Sequence, residues 1–452
     1  MRILLFQVPL GKNTLVGPLF PLGLLTISDA LRRNHHDVLF KDFNIINDYE
    51  EEIYNLSINY QPDLIGLSLR NIDNLELYNF EYYYPQLKII IFLIKKYYQN
   101  IKIVIGGSGF SLFPKEIMLQ NRQLDFGILN EGEETILKLI NNIHNPFIVS
   151  DILIRKEDEI IETAKTKEYI NINDSPALNF SSVNMEPYSH ELSIGIQGSR
   201  GCPLKCSYCC YAKLNGDKLR CRSVNAVINE VEQIHKAGVK YFIFADSVFD
   251  IDKDYVYAIC NQIESLNYGI KWSAWFDVAQ CCEKTILLAN KAGCYRMAFS
   301  PDATTNRTLK SLGKSCTEQD IKRLIVLARK YPEIKFRFSI IASIPNDTWF
   351  DIFSRILFLF KTHVTMRNTN CIVNWIRYLP ETPIYEMAIE EKLISGTVSL
   401  LPEAVINPKY LFYINPKTPG VSFMMRNSVK LADFIRKRMK TFFWRRKSLK
   451  RY

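Results

Sequence analysis

Two stretches of the chain repeat one pattern, in which short apolar runs alternate with amphipathic helical segments. In the first stretch, which ends near residue 145, the apolar runs are rich in Ile, Val, Leu and Phe and show little polar alternation. Strands of that kind are typical of parallel sheets that helices cover on both faces. The pattern predicts strands at 2–9, 38–44, 64–70, 102–107 and 126–130, and helices at 22–34, 49–60, 83–99, 114–121 and 133–142.

Polar residues and glycines cluster where the predicted strands of this first stretch end. A doubly wound parallel sheet binds ligands at the carboxyl ends of its strands, at the point where the strand order reverses. Glycine there permits a close backbone approach to a bulky or phosphorylated ligand, although tight strand-to-helix turns use glycine as well. The candidate ligand-binding residues are Ser68, Arg70, Asn71, Gly106, Gly107, Gly109 and Glu131.

The second repeat of the pattern follows a polar connector and runs from residue 193 to about residue 393. It predicts strands at 193–198, 241–245, 271–276, 296–300, 336–344 and 371–378, and helices at 224–237, 253–266, 284–292, 317–330 and 348–361. Consecutive strand–helix units of this kind fit a partial (β/α)6 barrel, whose chemistry lies at the carboxyl ends of its strands. The predicted domains are residues 1–145, a connector at 146–190, residues 191–394, and a small helix-rich C-terminal extension at 395–452.

All 11 cysteines lie after residue 201. An odd number in one part of the chain argues against a disulfide scaffold and for metal or redox chemistry. Cys202, Cys206 and Cys209 share one loop, and three such thiolates can ligate three irons of a [4Fe–4S] cluster and leave the fourth iron open. A zinc site would need a fourth ligand, and a chance cluster of buried thiols is the other alternative. Cys260, Cys294, Cys316 and Cys371 are predicted to lie in or near the core. The adjacent pair at 281–282 is predicted to be packed in the interior rather than to bind a ligand, and Cys210 and Cys221 are left without a role.

Positive charge is concentrated at the C-terminus. The chain has a formal net charge of +10, but residues 430–452 contain ten basic residues and one acid, Asp433. The rest of the chain is nearly neutral, so overall charge does not indicate a nucleic-acid partner. The tail is predicted first to be a helix that packs by its apolar side and has a solvated basic face. Its composition is also that of an interfacial helix, which allows weak contact with a membrane surface, and it would suit an acidic peptide substrate or a partner. Because no apolar run reaches the roughly 18–20 residues of a membrane-spanning helix, we expect a cytoplasmic protein.

The spacing CxxxCxxC is similar to the motif of radical S-adenosylmethionine (SAM) enzymes, and the resemblance extends over the second repeat. In that family an aromatic residue precedes the third cysteine, as Tyr208 does here, and SAM binds the open iron. The segments that contain Asp246, Ser300 and Asp302 resemble strand-end motifs near the bound SAM, so the resemblance implies SAM contacts there; the alternative is strand-end capping. Residues 339–345 depart from the family pattern, because many relatives carry glycines in that segment.

The first repeat resembles the cobalamin-binding domain of the class of radical SAM enzymes that carries such a domain at its N-terminus. The resemblance implies a doubly wound, Rossmann- or flavodoxin-like domain, in which the candidate residues from Ser68 to Glu131 contact cobalamin. The element Asp-x-His-x-x-Gly is absent, so cobalamin is expected to bind without a histidine ligand. Arg70 would then approach the lower face of the corrin, and its competing role is a salt bridge to Asp73.

Taken as a whole, the resemblance implies a cobalamin-dependent radical SAM methyltransferase. It would move a methyl group from methylcobalamin to a carbon of a natural-product, lipid or peptide substrate, after reductive cleavage of SAM at the cluster, and a flavodoxin or ferredoxin would supply electrons. The alternatives are a non-methylating rearrangement or oxidation, a polar C-methylation, and a non-catalytic iron–sulfur or cobalamin carrier. An RNA methylthiotransferase is disfavoured, since residues 1–201 contain no cysteine.

Overall fold

The computed structural model describes residues 1–10, 17–166, 169–188 and 190–449, with side chains as far as Arg438. Two compact units account for the chain, and three segments contribute to each. The first unit consists of Met1–Cys202, Cys210–Ala245 and Thr397–Asn407, and the second of Pro203–Cys209, Asp246–Gly396 and Pro408–Tyr452. The cysteine loop is thus divided, because its first cysteine belongs to the first unit and the other two belong to the second.

The first unit begins with a sheet in which every predicted strand and helix is present. In chain order its elements are β1 (Arg2–Gln7), α1 (Leu22–Arg33), β2 (Asp37–Asp42), α2 (Tyr49–Asn59), β3 (Leu64–Ser68), α3 (Tyr84–Tyr97), β4 (Ile103–Gly106), α4 (Ser108–Leu112), α5 (Pro114–Gln120), β5 (Phe126–Ile128), α6 (Glu133–Asn141), β6 (Ile152–Lys156) and β7 (Glu159–Glu162). The strand order is β2-β1-β3-β4-β5-β6-β7, and β1 to β5 are parallel. The strand order reverses at β1, as the predicted doubly wound sheet requires.

The apolar composition of the central strands follows from this topology. Ile3, Leu4, Leu5 and Phe6 are all buried, although successive side chains of a strand point to opposite faces of the sheet. Both faces of β1 are therefore covered, and the buried cluster on one of them includes residues of α1 and α6. Parallel sheets need this two-sided cover, and the predicted sheet is confirmed.

A hairpin that the sequence pattern missed lies within residues 146–190. The strands β6 and β7 pair antiparallel with each other, and β6 also pairs antiparallel with β5 through Phe126 and Ile154. Both strands are short and rich in charged residues, so they show no apolar run comparable with those of the central strands. This part of the predicted connector extends the first sheet.

The rest of the first unit carries the beginning of the second repeat. Its elements are β8 (Gly195–Ile196), β9 (Ser199–Arg200), α7 (Tyr211–Asn215), β10 (Arg220–Cys221), α8 (Val224–Lys236) and β11 (Tyr241–Phe244). The strands β8 and β11 are parallel, whereas β9 and β10 form a short antiparallel pair next to the cysteine loop. The helix α8 begins where expected, because the side chain of Ser223 accepts a hydrogen bond from the amide of Ala226.

The second unit continues the alternation of strands and helices. Its elements are α9 (Lys253–Leu266), β12 (Lys271–Phe276), α10 (Glu283–Lys291), β13 (Cys294–Asp302), α11 (Asn306–Ser311), α12 (Glu318–Lys330), β14 (Lys335–Ile341), α13 (Trp349–Thr365), β15 (Thr369–Asn374), α14 (Pro383–Glu390) and α15 (Val421–Leu449). The strands β12 to β15 are parallel neighbours. Buried aromatic rings join them, since Phe299 lies 5.8 Å from Phe276 and 5.9 Å from Phe338, centroid to centroid. The predicted α/β class with parallel sheets is confirmed.

The C-terminal part of the second unit is ordered by backbone pairing and by a long helix. Residues 408–413 run beside residues 376–378, where the amide of Tyr378 donates to the carbonyl of Leu411 and the amide of Tyr413 donates to the carbonyl of Ile376. The helix α15 follows Gly420 and packs against α13. Within the described residues, no helix combines the length and the apolar character that a bilayer crossing requires.

Candidate functional site

The cysteine loop has local turns that position its three thiols. In the first unit, the amide of Cys202 donates to the carbonyl of Gly216 at 3.0 Å. In the second unit, the amide of Cys209 donates to the carbonyl of Cys206 at 3.2 Å, so both cysteines lie on one turn. Cys202 is buried, Cys206 is half-buried and Cys209 is exposed, and none of them forms a disulfide.

The donor set of this loop fits an iron–sulfur cluster by its chemistry and its access. Within the described residues, no group of three His, Cys, Asp or Glu side chains is found that could hold a metal ion. The three free thiols nevertheless share one short loop, and thiolates are the protein ligands of such clusters. The buried hydroxyl of Ser207, between Cys206 and Cys209, has no partner among the described residues. A hydroxyl donor beside cluster ligands is the kind of group that a bound cluster satisfies.

A tight turn in the second unit holds the loop from one side. The amide of Ser207 donates to the carbonyl of Leu312 at 3.0 Å, and Gly313 follows with a positive φ of 66°. A Cβ atom at Gly313 would lie 2.3 Å from the carbonyl oxygen of Lys205, which is closer than non-bonded atoms approach. Glycine at this position therefore allows the turn to close against the loop.

A buried hydrogen-bonded group fixes the loop through the residue between its last two cysteines. The hydroxyl of Tyr208 donates to Oδ2 of Asp302 at 2.5 Å, and the ammonium of Lys314 donates to the same oxygen at 2.8 Å. The side chains of Asp302 and Lys314 are 4% and 9% exposed, so this ion pair is buried. Asp302 ends β13 with a φ of 64°, in the left-handed region that non-glycine residues seldom adopt.

The charges of this group shift the pKa values of both donors upward. Burial raises the pKa of Tyr208, and the charges of Asp302 and Cys206 raise it further. Burial alone would lower the pKa of Lys314, but the charge of Asp302, followed by that of Cys206, outweighs burial and raises the pKa. Tyr208 therefore stays a hydrogen-bond donor and Lys314 stays a cation. The sequence analysis treated Tyr208 and Asp302 as cofactor contacts, and the structure joins them to each other.

The other SAM candidates lie at strand ends, as predicted. Asp246 directly follows β11 and is 5% exposed, and Ser300 is half-buried within β13. A further buried acid, Asp250, accepts hydrogen bonds from the amide of Asp277 at 2.7 Å and from the ammonium of Lys253 at 3.2 Å. Burial raises the pKa of Asp250 to about 6, although Lys253 opposes the shift.

The carboxyl ends of β1, β2 and β3 meet at a polar network in the first unit. Asp42 is buried and accepts hydrogen bonds from Tyr188 at 2.7 Å and from the Asn44 side chain at 2.6 Å. Burial raises the pKa of Asp42, while these hydrogen bonds and the charge of Arg70 oppose the rise. Arg70 is exposed, yet desolvation by its surroundings lowers its pKa and the charge of Asp42 partly offsets that effect. An accessible cation that is also partly desolvated fits the edge of a site for a large ligand.

The alternative role of Arg70 was a salt bridge to Asp73. In the structure, Asp73 is buried and accepts a hydrogen bond from the amide of Leu75 at 2.9 Å. The acidic group whose charge acts on Arg70 is Asp42. Ser68 and Asn71, the candidates on either side of Arg70, are half-buried.

Two candidate glycines of the first unit, Gly107 and Gly109, lie close to the backbone of a neighbouring segment of the chain. A Cβ atom at Gly107 would lie 2.6 Å from the carbonyl oxygen of Leu69, and one at Gly109 would lie 3.0 Å from the same atom. The amide of Gly109 also donates to that carbonyl at 2.9 Å. Gly106 differs, because its added Cβ would meet nothing closer than 3.6 Å. The tight-turn explanation therefore accounts for Gly107 and Gly109.

Glu131 is held in an ion-pair group. Arg220 donates to both carboxylate oxygens of Glu131, at 2.9 and 2.7 Å, and Arg200 lies 3.4 Å away. The amide of Ile170 donates to Glu131 at 3.1 Å as well, and the carboxylate is 7% exposed. The groups that contact the carboxylate oxygens of Glu131 are 39 to 89 residues away in the sequence. Sequence spacing therefore did not reveal these contacts. The only local sign was the succession of basic residues around the short strands β9 and β10.

The adjacent cysteines of the second unit differ in their environments. Cys281 is buried as predicted, and burial raises the pKa of its thiol. Cys282 is exposed, so the prediction that it is packed in the interior is wrong. Its partial burial raises the pKa, but hydrogen bonds from Thr285 and Tyr257 and the charge of Lys253 outweigh burial and lower the pKa to about 7.

Two protein families match this chain, one over each repeat. The B12 binding domain matches residues 10–140, and the Radical SAM superfamily matches residues 196–355. An uncharacterized methyltransferase of Pyrococcus horikoshii, PH0819, is 24% identical over 385 residues, which are 83% of this chain and 79% of that protein. An anaerobic magnesium-protoporphyrin IX monomethyl ester cyclase of Synechocystis is 26% identical over 73% of this chain and 67% of its own length.

Solved structures share the fold at low sequence identity. The radical SAM methyltransferase TsrM of Kitasatospora setae, with tryptophan and a SAM analogue bound, superposes with a TM-score of 0.81 at 17% identity, over 95% of this chain and 88% of that one. The cobalamin-dependent SAM radical enzyme OxsB superposes with a TM-score of 0.67 at 19% identity, over 96% of this chain and 61% of that one. Residues 10–140 of this chain are therefore similar to a B12 binding domain and residues 196–355 to the Radical SAM superfamily, in that order along the chain.

Proposed function

We propose that this protein is a cobalamin-dependent radical SAM methyltransferase that transfers a methyl group to a carbon of a natural-product, lipid or peptide substrate. The observation that carries the proposal is the combination, in one chain, of a B12-binding domain and a three-cysteine loop on a radical SAM domain. Relatives that are named methyltransferases support it, including PH0819 and the cytidylyl-2-hydroxyethylphosphonate methyltransferase of Streptomyces wedmorensis. When bound, the cluster and SAM supply reductive SAM cleavage, and cobalamin supplies the methyl group.

The cluster ligands in this proposal are Cys202, Cys206 and Cys209. Cys209 is exposed and Cys206 is half-buried, so both can be reached. Tyr208 supports this loop. Its hydroxyl anchors the loop to Asp302, and this anchor keeps the last two thiols in place.

The residues proposed to contact the organic cofactors lie at strand ends in both units. For SAM they are Asp246 and Ser300, whose positions after β11 and within β13 correspond to the strand ends that carry chemistry in β/α folds. For cobalamin they are Ser68, Arg70, Asn71 and Gly106. With cobalamin bound, Arg70 would place a positive charge beside the cofactor, which would favour its electron-rich, low-valent form. Gly107, Gly109 and Glu131 support the fold beside these contacts.

The cellular setting is part of the same proposal. All cysteines in the described residues are free thiols, as expected in a reducing compartment, so we place the enzyme in the cytoplasm. A flavodoxin or ferredoxin would reduce the cluster there. The net positive charge is concentrated in the C-terminal tail, which supports a small-molecule or peptide substrate over nucleic acid.

The proposal is tested with anaerobically purified full-length protein, SAM, cobalamin and a chemical reductant. We expect iron and retained cobalamin, and we expect both 5′-deoxyadenosine and S-adenosylhomocysteine as products. Cys206→Ser should lose iron and 5′-deoxyadenosine, whereas the adjacent Cys210→Ser should keep both. Zinc in place of iron, or no retained cobalamin, contradicts the proposal. Production of 5′-deoxyadenosine without S-adenosylhomocysteine favours the non-methylating alternative, which the cyclase relatives support.

A further inference from the structure

An exposed apolar stripe runs along α13 in the second unit. Phe350, Phe353 and Leu357 are 74%, 60% and 68% exposed, and their spacing places them on one face of the helix. Trp349 extends the stripe at its N-terminal end and is 45% exposed. The solvent-facing side of a surface helix is ordinarily polar, so four large apolar side chains in a row indicate a face that another surface covers.

The helix α15 lies beside α13 and runs in the same direction. Before the two helices begin, the amide of Asn415 donates to the hydroxyl of Ser343 at 2.8 Å. Near the end of α13, a ring nitrogen of His363 lies 2.8 Å from a carboxylate oxygen of Asp433. One turn later, Arg436 donates to the carbonyl of residue 367 at 2.6 Å. Contacts at both ends therefore align the helices side by side.

The helix α15 also exposes apolar side chains. Phe423, Leu431 and Phe434 are 62%, 51% and 53% exposed. The guanidinium of Arg438 lies 4.8 Å from the centre of the Phe434 ring, so a cation accompanies this exposed ring. Two adjacent helices thus both present aromatic and aliphatic side chains to solvent.

The charge around these side chains is strongly positive. The exposed basic residues of the two helices and the turn after α13 are Lys361, Arg367, Lys430, Lys437 and Arg438. The helix α15 contains nine basic residues in its sequence and one acid, Asp433, which already contacts His363. The acid in α13, Asp351, is buried and accepts hydrogen bonds from its own helix cap. The exposed side chains of these two helices therefore include large apolar groups and an excess of cations over acids.

We propose that the α13–α15 face, defined by Trp349, Phe350, Phe353, Leu357, Phe423, Leu431, Phe434 and the five exposed basic residues, binds the surface of a membrane that contains anionic lipids. Aromatic and aliphatic side chains insert at the boundary of headgroups and acyl chains, and Lys and Arg pair with anionic headgroups. A second copy of the chain suits the face less well, because it would bring the same cations opposite each other. Binding is reversible and peripheral, and it holds independently of the proposed reaction.

The test is flotation of the full-length protein with lipid vesicles. We expect the protein to float with vesicles of phosphatidylcholine and phosphatidylglycerol at 3:1, and to stay behind with phosphatidylcholine alone. Raising the salt from 0.05 to 0.5 M should release it, since screening weakens attraction to a charged surface. Association with neutral vesicles that equals association with anionic ones would overturn the charge argument.

Two sets of variants separate the apolar and the cationic contributions. Phe353→Ser with Leu357→Ser should weaken partition into anionic vesicles by roughly tenfold or more. Lys361→Gln with Lys430→Gln should weaken it by about 30-fold, at about 1 kcal/mol for each cation near the surface. Phe92→Ser is the matched control, because Phe92 is 68% exposed on α3 of the first unit and should leave partition unchanged.

Three results would overturn the proposal. The first is absence of the full-length protein from anionic vesicles at low salt. The second is partition that neither set of variants changes while circular dichroism shows a folded protein. The third is a dimer, or a complex with an acidic flavodoxin, that the same variants disrupt while vesicle binding is absent, because the face would then serve a protein.

Discussion

The buried ion pair of Asp302 and Lys314 stabilises the closed conformation of the cysteine loop, so replacing one carboxylate oxygen of Asp302 by an amide nitrogen should destabilise the loop. In Asp302→Asn the carboxylate is lost, so Lys314 becomes a cation that is 9% exposed and has no counter-charge at Asp302. Removal of one partner of a buried ion pair costs about 3–5 kcal/mol. The amide oxygen of asparagine still accepts a hydrogen bond from Tyr208, so that contact is only weakened. We expect the loop to open more readily by about 3 kcal/mol.

The assay is hydrogen exchange, read by mass spectrometry on peptides that cover residues 203–209 of the full-length protein. A loss of about 3 kcal/mol in the free energy of opening accelerates exchange by about 100-fold. Lys314→Met should accelerate exchange in the same way. If the two single effects simply added, the double variant Asp302→Asn with Lys314→Met would exchange fastest. We expect its exchange to be slower than that sum, because the double variant leaves no unpaired charge in the interior.

The matched control is Glu283→Gln, which removes one charge of an exposed pair. Glu283 and Lys330 are 52% and 55% exposed, so their interaction contributes little to stability. We expect no change in exchange at residues 203–209 for this variant. Wild-type exchange in Asp302→Asn, or single effects that simply add in the double variant, would refute the reasoning. In the holoenzyme, Asp302→Asn should also lower retained iron.

Three further predictions concern a turn, a buried acid and a thiol. Gly313→Ala should lower the free energy of unfolding by about 2 kcal/mol more than Gly238→Ala. Both glycines have a positive φ, but only at Gly313 would the added Cβ lie 2.3 Å from a carbonyl oxygen. Equal losses of stability in urea unfolding would contradict this prediction. The pKa of Asp250 is raised from 3.8 to about 6, so its contribution to stability is present below pH 4 and is lost as the pH rises through 6. The free energy of unfolding of Asp250→Asn minus that of the wild type should therefore increase between pH 4 and 7. A difference that stays constant over this range would exclude the raised pKa of Asp250. Among the cysteines outside the loop of residues 202–209, Cys282 should react first with iodoacetamide at pH 7.5. Its thiol is exposed and has a pKa of about 7. A peptide map in which another of these cysteines reacts first would contradict this prediction.

The local structure of this chain was readable from the sequence because its signals lie within a few residues of each other. The N-cap residues of α12 and α13 are Thr317 and Thr348, and each forms a capping box with an aspartate three residues later. Continuous apolar runs predicted the buried parallel strands, and the spacing of three cysteines indicated the Radical SAM superfamily, which matches residues 196–355. The hairpin β6–β7 was missed because its strands are short and charged.

The roles of single side chains at the candidate site depended on contacts between residues far apart in the sequence. Tyr208 and Asp302 are 94 residues apart, and Glu131 and Arg220 are 89 residues apart. A sequence pattern shows that an acid lies at a strand end, but it does not show which cation or hydroxyl will reach that acid.

Periodicity and cysteine spacing thus predicted the fold class, the order of its elements and the loop that contains the three thiols, because these depend on neighbouring residues. Tertiary packing alone decided that Asp302 anchors the loop, that Glu131 is bound by two arginines, and that α13 carries an apolar stripe that is exposed in the described part of the chain. Burial and ion pairing arise only when distant segments meet, and their energies depend on the solvent that this packing excludes.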